Sequence, residues 1–435
     1  MGFCRFLASL LCVSKIQADT DSIFPITKDF ITSCSSISSA STANTRTSNR
    51  SQQIPDKASG RTMVLQEFIN SEKTYVNLLE QFDDIYIHSA CAPLTFHTGG
   101  KLAREITFDT ALTADERKTM FNGFQEILSL HRKLVLPKLV AATQVLLTQG
   151  DDLDGVRSTH AAFEVCQVIC KFADWFKMYS SYSATCDNAS AKLTQWTNGN
   201  DTARQDKNRV QAYLAKCKAN KKHSQINMTG YLLLPIQRLT RYKMLLEQLE
   251  HYTPAPPSGT RDYMGEALAR IATILVYVND YKRDLDARSR LCHWADRISS
   301  VGPSPLVQPH RTLIREGPVK FIARGALPQN TSRTLRYRHV DESKKSIVGT
   351  VNKTCMAVLC QDLLVLVDNV ASQQKGKSEL VDVVRLSAMG KARVEWGNVV
   401  VFETSDTEQL SYYLRVDYEE TAQGWVDAIN KSKRS

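Results

Sequence analysis

Between Gln225 and Thr253 the chain reads QINMTGYLLLPIQRLTRYKMLLEQLEHYT, and this stretch limits what the sequence can fold into more than any other. Pro235 suits the first turn of a helix, where its missing N–H and fixed φ cost little. Helix formers follow without a break to Glu250, and Pro254, Pro256 and Pro257 stop them. At about 100° per residue, Leu239, Tyr242 and Leu246 fall on one side as a core stripe. Gln237, Arg241, Met244, Leu245 and Gln248 gather on a second arc, roughly 100° wide. A solvated face would carry Lys and Glu. This one sets hydrogen-bonding groups beside Met and Leu, as a docking face does. On pattern alone, a boundary row in a helical bundle is the plainer reading.

The rest of the chain narrows the class. At 435 residues it has room for two or three domains with real cores. A content of 43% hydrophobic and 23% charged residues is that of a soluble globular protein. The formal net charge of +10 calls for an acidic counterpart, either a membrane surface, nucleic acid or an acidic protein patch. The charge is spread and no RNA- or DNA-binding motif accompanies it, so nucleic acid is not expected as a partner. Eleven cysteines form no framework and no CxxC, which fits a reducing compartment. Cys166 and Cys170, four apart in AAFEVCQVICKFADWF, read as small core residues, and no metal site is expected. No phosphate-binding loop, kinase set, nucleophile elbow, HExxH or dinucleotide fingerprint occurs. The chain is therefore expected to break no bond, to hold no nucleotide of its own and to need no cofactor.

The first residues, MGFCRFLASLLCVSKIQAD, allow a short secretory signal, a lipid anchor on Gly2 and Cys4, or a loosely ordered terminus. The apolar run is too short to span a bilayer. Residues 32–60, rich in Ser, Thr and Asn, lack the apolar groups that would offset the cost of ordering. Helical order is expected from residue 61. Val64, Phe68, Tyr75, Leu78, Leu79 and Phe82 recur at helical spacing in RTMVLQEFINSEKTYVNLLEQF. Residues 94–115 read as a connection between helices. TMFNGFQEILSLHRKLVLPKLVAATQVLL gives a further helical run, in which His131 reads as a satisfied helix residue rather than a base. Phe176, Tyr179 and Tyr182 read as core aromatics. Met264, Leu268, Ile271, Ile274, Leu275 and Val278 then keep helical spacing toward residue 297, before the breaker SVGPSPLVQPH. After it the period shortens: LIREGPVKFIAR, RTLRYRHV, CMAVLCQDLLVLVDN, ELVDVVRL, NVVVFETS and LSYYLRV read as strands. EETAQGWVDAINKSK closes the chain as a helix carrying Trp425.

YLLLPIQRLTRYKMLLEQL resembles, densely and without gaps, the third conserved region of the Dbl homology domain, the exchange module of Rho-family guanine nucleotide exchange factors. The segments around residues 61–87 and 119–147 resemble the first and second regions, and VNDYKRD resembles the last helix. LIREG, CQDLLVLV and the Trp425 helix resemble a pleckstrin homology domain, the usual companion. The resemblance implies a multidomain chain, with an elongated all-α bundle over residues 61–297, a linker over 298–310 and a β-barrel or sandwich capped by a helix over 311–435. A tail precedes them over residues 1–60. It implies a Rho- or Rac-type small GTPase as partner, contacted by Glu67, Gln237, Arg241, Leu245 and Asn279. Glu72, the other candidate carboxylate of that first segment, falls in the part of the motif (SEKTYV) that is more often structural. The family often has Lys where Arg241 stands, and Arg changes the pairing geometry. In the second domain the resemblance implies phosphoinositide contact by Lys320, Arg336 and Arg338. A cytoplasmic protein with peripheral membrane recruitment follows. The competing reading is a non-catalytic scaffold, or a lipid-targeted adaptor, on the same two domains.

Overall fold

The computed structural model describes residues 50–97, 105–148, 152–198, 204–224, 226–298, 305–326, 349–368, 378–405 and 410–433. The chain forms two compact units, residues 1–282 and 283–435.

The first unit is helical. Helix α1 (Arg50–Phe82) continues through a π-helical turn, Asp83–Ile87, into His88–Cys91. A hairpin of β1 (Leu94–His97) and β2 (Glu105–Phe108) follows. Then come α2 (Ala114–Phe121), α3 (Phe124–Leu130), a π-helical turn over His131–Val135, and α4 (Leu136–Thr148). Next are α5 (Val156–Phe172), α6 (Tyr179–Asn198), α7 (Arg204–Lys218), α8 (Met228–Tyr252) and α9 (Tyr263–Arg297). One continuous apolar core takes residues from α1 to α9, among them Phe68, Phe82, Phe124, Phe176, Tyr213, Tyr242 and Ile271.

Three sequence expectations change here. Helix α1 already includes Arg50, well ahead of residue 61. Arg61, expected at the domain edge, is buried: Nε donates to Ser158 Oγ at 2.9 Å, Nη1 to the Tyr252 carbonyl at 2.5 Å and Nη2 to the Gly155 carbonyl at 2.8 Å. This part of α1 is thus tied down by groups at the start of α5 and the end of α8, which no local pattern reveals. Helix α8 begins at Met228, with Pro235 inside it, because Asn227 caps the helix by accepting from the Gly230 N–H at 2.8 Å. In the turn that the proline loosens, the Leu232 carbonyl accepts from the Tyr182 hydroxyl at 2.7 Å. The expected connection at 94–115 contains the hairpin, so the bundle is not purely α. Phe96 and Phe108 stack across it and the Thr95 and Thr107 hydroxyls pair at 3.0 Å.

The second unit takes in the last turns of α9 and a seven-stranded antiparallel sheet of order β6-β5-β4-β3-β9-β8-β7. Its strands are β3 (Leu313–Ala326), β4 (Gly349–Cys360), β5 (Leu363–Asp368), β6 (Leu380–Arg385), β7 (Arg393–Glu395), β8 (Val399–Glu403) and β9 (Leu410–Arg415). Helix α10 (Glu419–Ser432) presses Trp425, Val426 and Ile429 onto a core that includes Phe321, Leu364, Phe402 and Tyr412. The sheet is curled around this core and is not a closed barrel, since β6 and β7 stay unpaired with each other. Strand β5 is apolar without alternation because both its faces are covered. Leu364 and Leu366 meet the α10 side, whereas Leu363, Val365 and Val367 pack with Leu291, Trp294 and Ile298. Residues from Arg283 therefore group with the second unit, earlier than the expected linker at 298–310. The expected strand RTLRYRHV, with Arg336 and Arg338, lies outside the described residues.

Candidate functional site

Helices α1 and α8 lie against each other, and two of the residues singled out from sequence meet directly on their shared face. The Arg241 guanidinium donates through Nη2 to Glu67 Oε1. Both side chains are a little under one-third exposed, 29% and 28%. Gln237 and Gln248 are half-buried on the same side of α8, and Met244, beyond Gln237 and Arg241 along the helix, is 45% exposed. Leu245 is the exception. At 1% exposed it belongs to the apolar core, so it is corrected from a docking residue to a packing residue. It stands at the border of the two arcs, and packing across the bundle claims it.

Met63 was missed. It sits four residues before Glu67, on the same side of α1, and is 46% exposed. An exposed Met at that spacing from a candidate contact was the available signal. Asn279 lies on α9 in the same unit, exposed, directly after the core residue Val278 and one turn before Lys282. Lys282 pairs with Asp187 of α6 at 2.7 Å. The geometry thus joins Glu67 with Arg241 directly, and places Asn279 on a separate helix with its side chain in solvent.

Beneath the exposed pair lies a second, fully buried set of charges. Glu72 has no exposure; Arg238, one helical turn before Arg241, has 4%. Arg238 Nη2 donates to Glu72 Oε2 at 2.5 Å and the Tyr242 hydroxyl donates to the same oxygen at 2.7 Å. His131 Nδ1 lies 2.6 Å from Glu72 Oε1; a carboxylate only accepts, so Nδ1 carries the proton. Nε2 of the ring is 2.7 Å from the Tyr179 hydroxyl, which is 3.0 Å from the Tyr75 hydroxyl. The Arg238 guanidinium is sandwiched, 4.4 Å from the Tyr242 ring centre and 5.1 Å from that of Tyr75. His131 is the satisfied imidazole expected from sequence, and Glu72 is structural.

Burial alone would raise the Glu72 carboxyl, but the Arg238 guanidinium beside it, and the hydrogen bonds from His131 and Tyr242, outweigh it and bring it down to about 2. Burial likewise opposes the charge on Arg238, and Glu72 overrides it, so the guanidinium holds its proton more tightly than an exposed one. The sign for stability follows. A carboxylate with a depressed folded-state value contributes fully above its unfolded value, near 4.5, and the contribution fades as pH falls toward about 2. We expect urea midpoints to drop across that window, and the drop to shrink in Glu72→Gln. An unchanged slope in that variant removes Glu72 as its source.

In the second unit, Lys320 is exposed on β3, opposite Arg415 of β9. Its expected companions Arg336 and Arg338 are not among the described residues. The trio Asp83, Asp84 and His88 brings ligand-type atoms close together, but His88 is already placed to pair with both acids. No helix among the described residues is long and apolar enough to cross a membrane.

Residues 64–279 match the RhoGEF domain family. FYVE, RhoGEF and PH domain-containing protein 2 of Mus musculus is 25% identical over 260 residues, which are 60% of this chain and 34% of the relative. Phosphatidylinositol 3,4,5-trisphosphate-dependent Rac exchanger 2 protein of Homo sapiens is 24% identical over 273 residues, 62% of this chain and 15% of the relative. The chain thus spans about a third or less of these relatives. Among solved structures, the DH/PH domains of p115-RhoGEF superpose with a TM-score of 0.59 at 18% identity, covering 88% of this chain and 99% of that one. The PDZ-RhoGEF DH/PH domains in complex with activated RhoA give 0.59 at 16% identity, covering 87% and 95%. These superpositions give the fold: a helical domain followed by a sheet-rich one with a C-terminal helix.

Proposed function

Residues 64–279 form a RhoGEF (Dbl homology) domain, and from that premise we propose that the chain is a guanine nucleotide exchange factor for a Rho-type small GTPase. A small GTPase holds GDP through its phosphate loop and Mg²⁺, with two switch segments ordered around them. A helical face that binds best to a rearranged, Mg²⁺-free switch conformation weakens GDP by the same factor, because the two binding events are linked. GDP then leaves faster, GTP refills the site, and the balance between the nucleotides is unchanged. No bond is broken.

The observation that carries this reading is the pairing of Glu67 with Arg241 on a half-exposed face built by α1 and α8. In the proposal Glu67 engages switch I, while Arg241 and Asn279 hold switch II in its displaced position. Gln237 and the exposed Met244, with Met63, complete the contact; Leu245 supports it from below. The acceleration of mant-GDP release from a panel of Rho- and Rac-type GTPases by the full chain tests the function, and no acceleration on any of them overturns it. Asn279→Ala is expected to lower the release rate about tenfold, the effect of about 1.4 kcal/mol lost from one polar contact. As Asn279 is exposed, the circular dichroism and melting curve are expected to match the wild type. A wild-type rate removes Asn279 from the contact.

Recruitment to an anionic membrane is a further part of the proposal, through phosphoinositide contact by Lys320 with Arg336 and Arg338. Exposure of Lys320 supports it, and cosedimentation with phosphoinositide-containing vesicles tests it.

A further inference from the structure

Two ion pairs cross the same pair of helices. Glu67–Arg241 is at the surface and Glu72–Arg238 is in the core, and the two arginines are one helical turn apart on α8. We infer that the buried pair, with His131, Tyr242, Tyr179 and Tyr75 around it, is a positioning device that fixes how α1 and α8 register and so holds Glu67 against Arg241. Its bearing on exchange rests on the function proposed above; its bearing on the geometry of the pair does not.

Stability gives no reason for such a cluster. A buried ion pair replaced by apolar groups of similar volume often leaves a protein as stable or more so. Here the accounting is poorer still, since Arg238 Nε is buried without a partner among the described residues. Apolar packing already presses the two helices together, with the Phe68 and Tyr242 rings stacked at 5.4 Å. Burial of that kind is non-directional and tolerates a slide along the helix axis. Directional bonds do not. Glu72 accepts from three different groups, and its partners belong to the π-helical turn at His131 and to α8. His131 extends the grip to Tyr179 at the start of α6, and Tyr179 returns it to Tyr75 of α1. The chain of bonds closes on α1, so an axial shift of α8 breaks several at once. A misplacement of about 1 Å at a contact site is enough to cost roughly a hundredfold in rate.

The decisive variant removes both members of the ion pair, so that neither is left as an unpaired buried charge: Glu72→Met with Arg238→Met, which leaves the Tyr242 hydroxyl and His131 Nδ1, 3.5 Å apart, as each other's partner. We expect it to melt at or above the wild-type temperature. At saturating GTPase it should accelerate GDP release at least tenfold less than wild type. The Arg241 side-chain NMR signal, held by Glu67 in the wild type, should move to that of a free guanidinium. Tyr242→Phe, which keeps the ring stack and deletes one bond to Glu72, should shift the same two readouts in the same direction by a smaller amount. It also decides the matter if the double variant does not fold. Folded variants with wild-type exchange and a wild-type Arg241 signal overturn the inference. If the wild-type chain acts on no Rho-type GTPase, the exchange reading falls, and the Arg241 signal still tests the positioning.

Discussion

Arg241→Ala is expected to slow GDP release by one to two orders of magnitude while leaving the fold intact. The two halves of that expectation come from different places. An ion pair whose members are nearly one-third exposed contributes at most about 1 kcal/mol to stability, so its loss barely moves the melting curve. In the proposed complex the same guanidinium is to meet a partner in a desolvated contact, where an unpaired polar group costs about 1–3 kcal/mol, or roughly 10- to 100-fold in rate. Arg241→Lys keeps the charge without the planar fork and should fall between wild type and alanine. Stopped-flow mant-GDP release checks the series. Equal rates for wild type and Arg241→Ala remove the residue from the site, and an unfolded Arg241→Ala contradicts the assignment of the pair to the surface.

Glu72→Ala is expected to behave in the opposite way, with a large loss of stability. It leaves the Arg238 guanidinium buried without its counter-charge, with the neutral Ser71 hydroxyl 3.4 Å from Nη1 as a poor substitute, at an expected cost of about 3–5 kcal/mol. It also strips His131 Nδ1 and the Tyr242 hydroxyl of their acceptor. Urea unfolding of the full chain, followed by a probe of the helical unit, measures it. A shift below about 1 kcal/mol, no more than a surface ion pair contributes, would mean that water reaches Arg238 and that the cluster is not sealed. Comparison with Glu72→Met/Arg238→Met separates the harm of an orphaned charge from the worth of the pair.

Periodicity was enough to read the helices of the first unit and strands β3, β6, β8 and β9, because their apolar residues repeat at the spacing that burial demands; it ran β4 and β5 together across the turn at Gln361 and Asp362 and missed the three-residue β7. Arg241 stood out on its helical arc, but Glu67, and the placing of the two on one surface, came forward through family resemblance. Where the reading failed, the missing information was tertiary. Pro235 looks like a helix start until Asn227 is seen to cap the helix just ahead of Met228, and the Tyr182 hydroxyl is seen at the Leu232 carbonyl. Leu245 sits at the edge of a helical arc, where a neighbour decides between core and solvent. The early part of α1 is fixed by Arg61 reaching groups far along the chain, at Gly155, Ser158 and Tyr252. The Glu72 cluster shows the same limit: its members come from widely separated segments, and each looks ordinary alone.

The surface pair has one more consequence, for how the site responds to ionic strength and turns over. Before any partner arrives, Glu67 and Arg241 neutralise each other. If the proposed contact is right, docking is a swap of counter-ions rather than a gain of them, and added salt loosens the resting pair along with the encounter. The expected result is an acceleration that depends only weakly on salt. On the proposed function, the two side chains close on each other again once the GTPase has reloaded, which frees the same molecule for the next round.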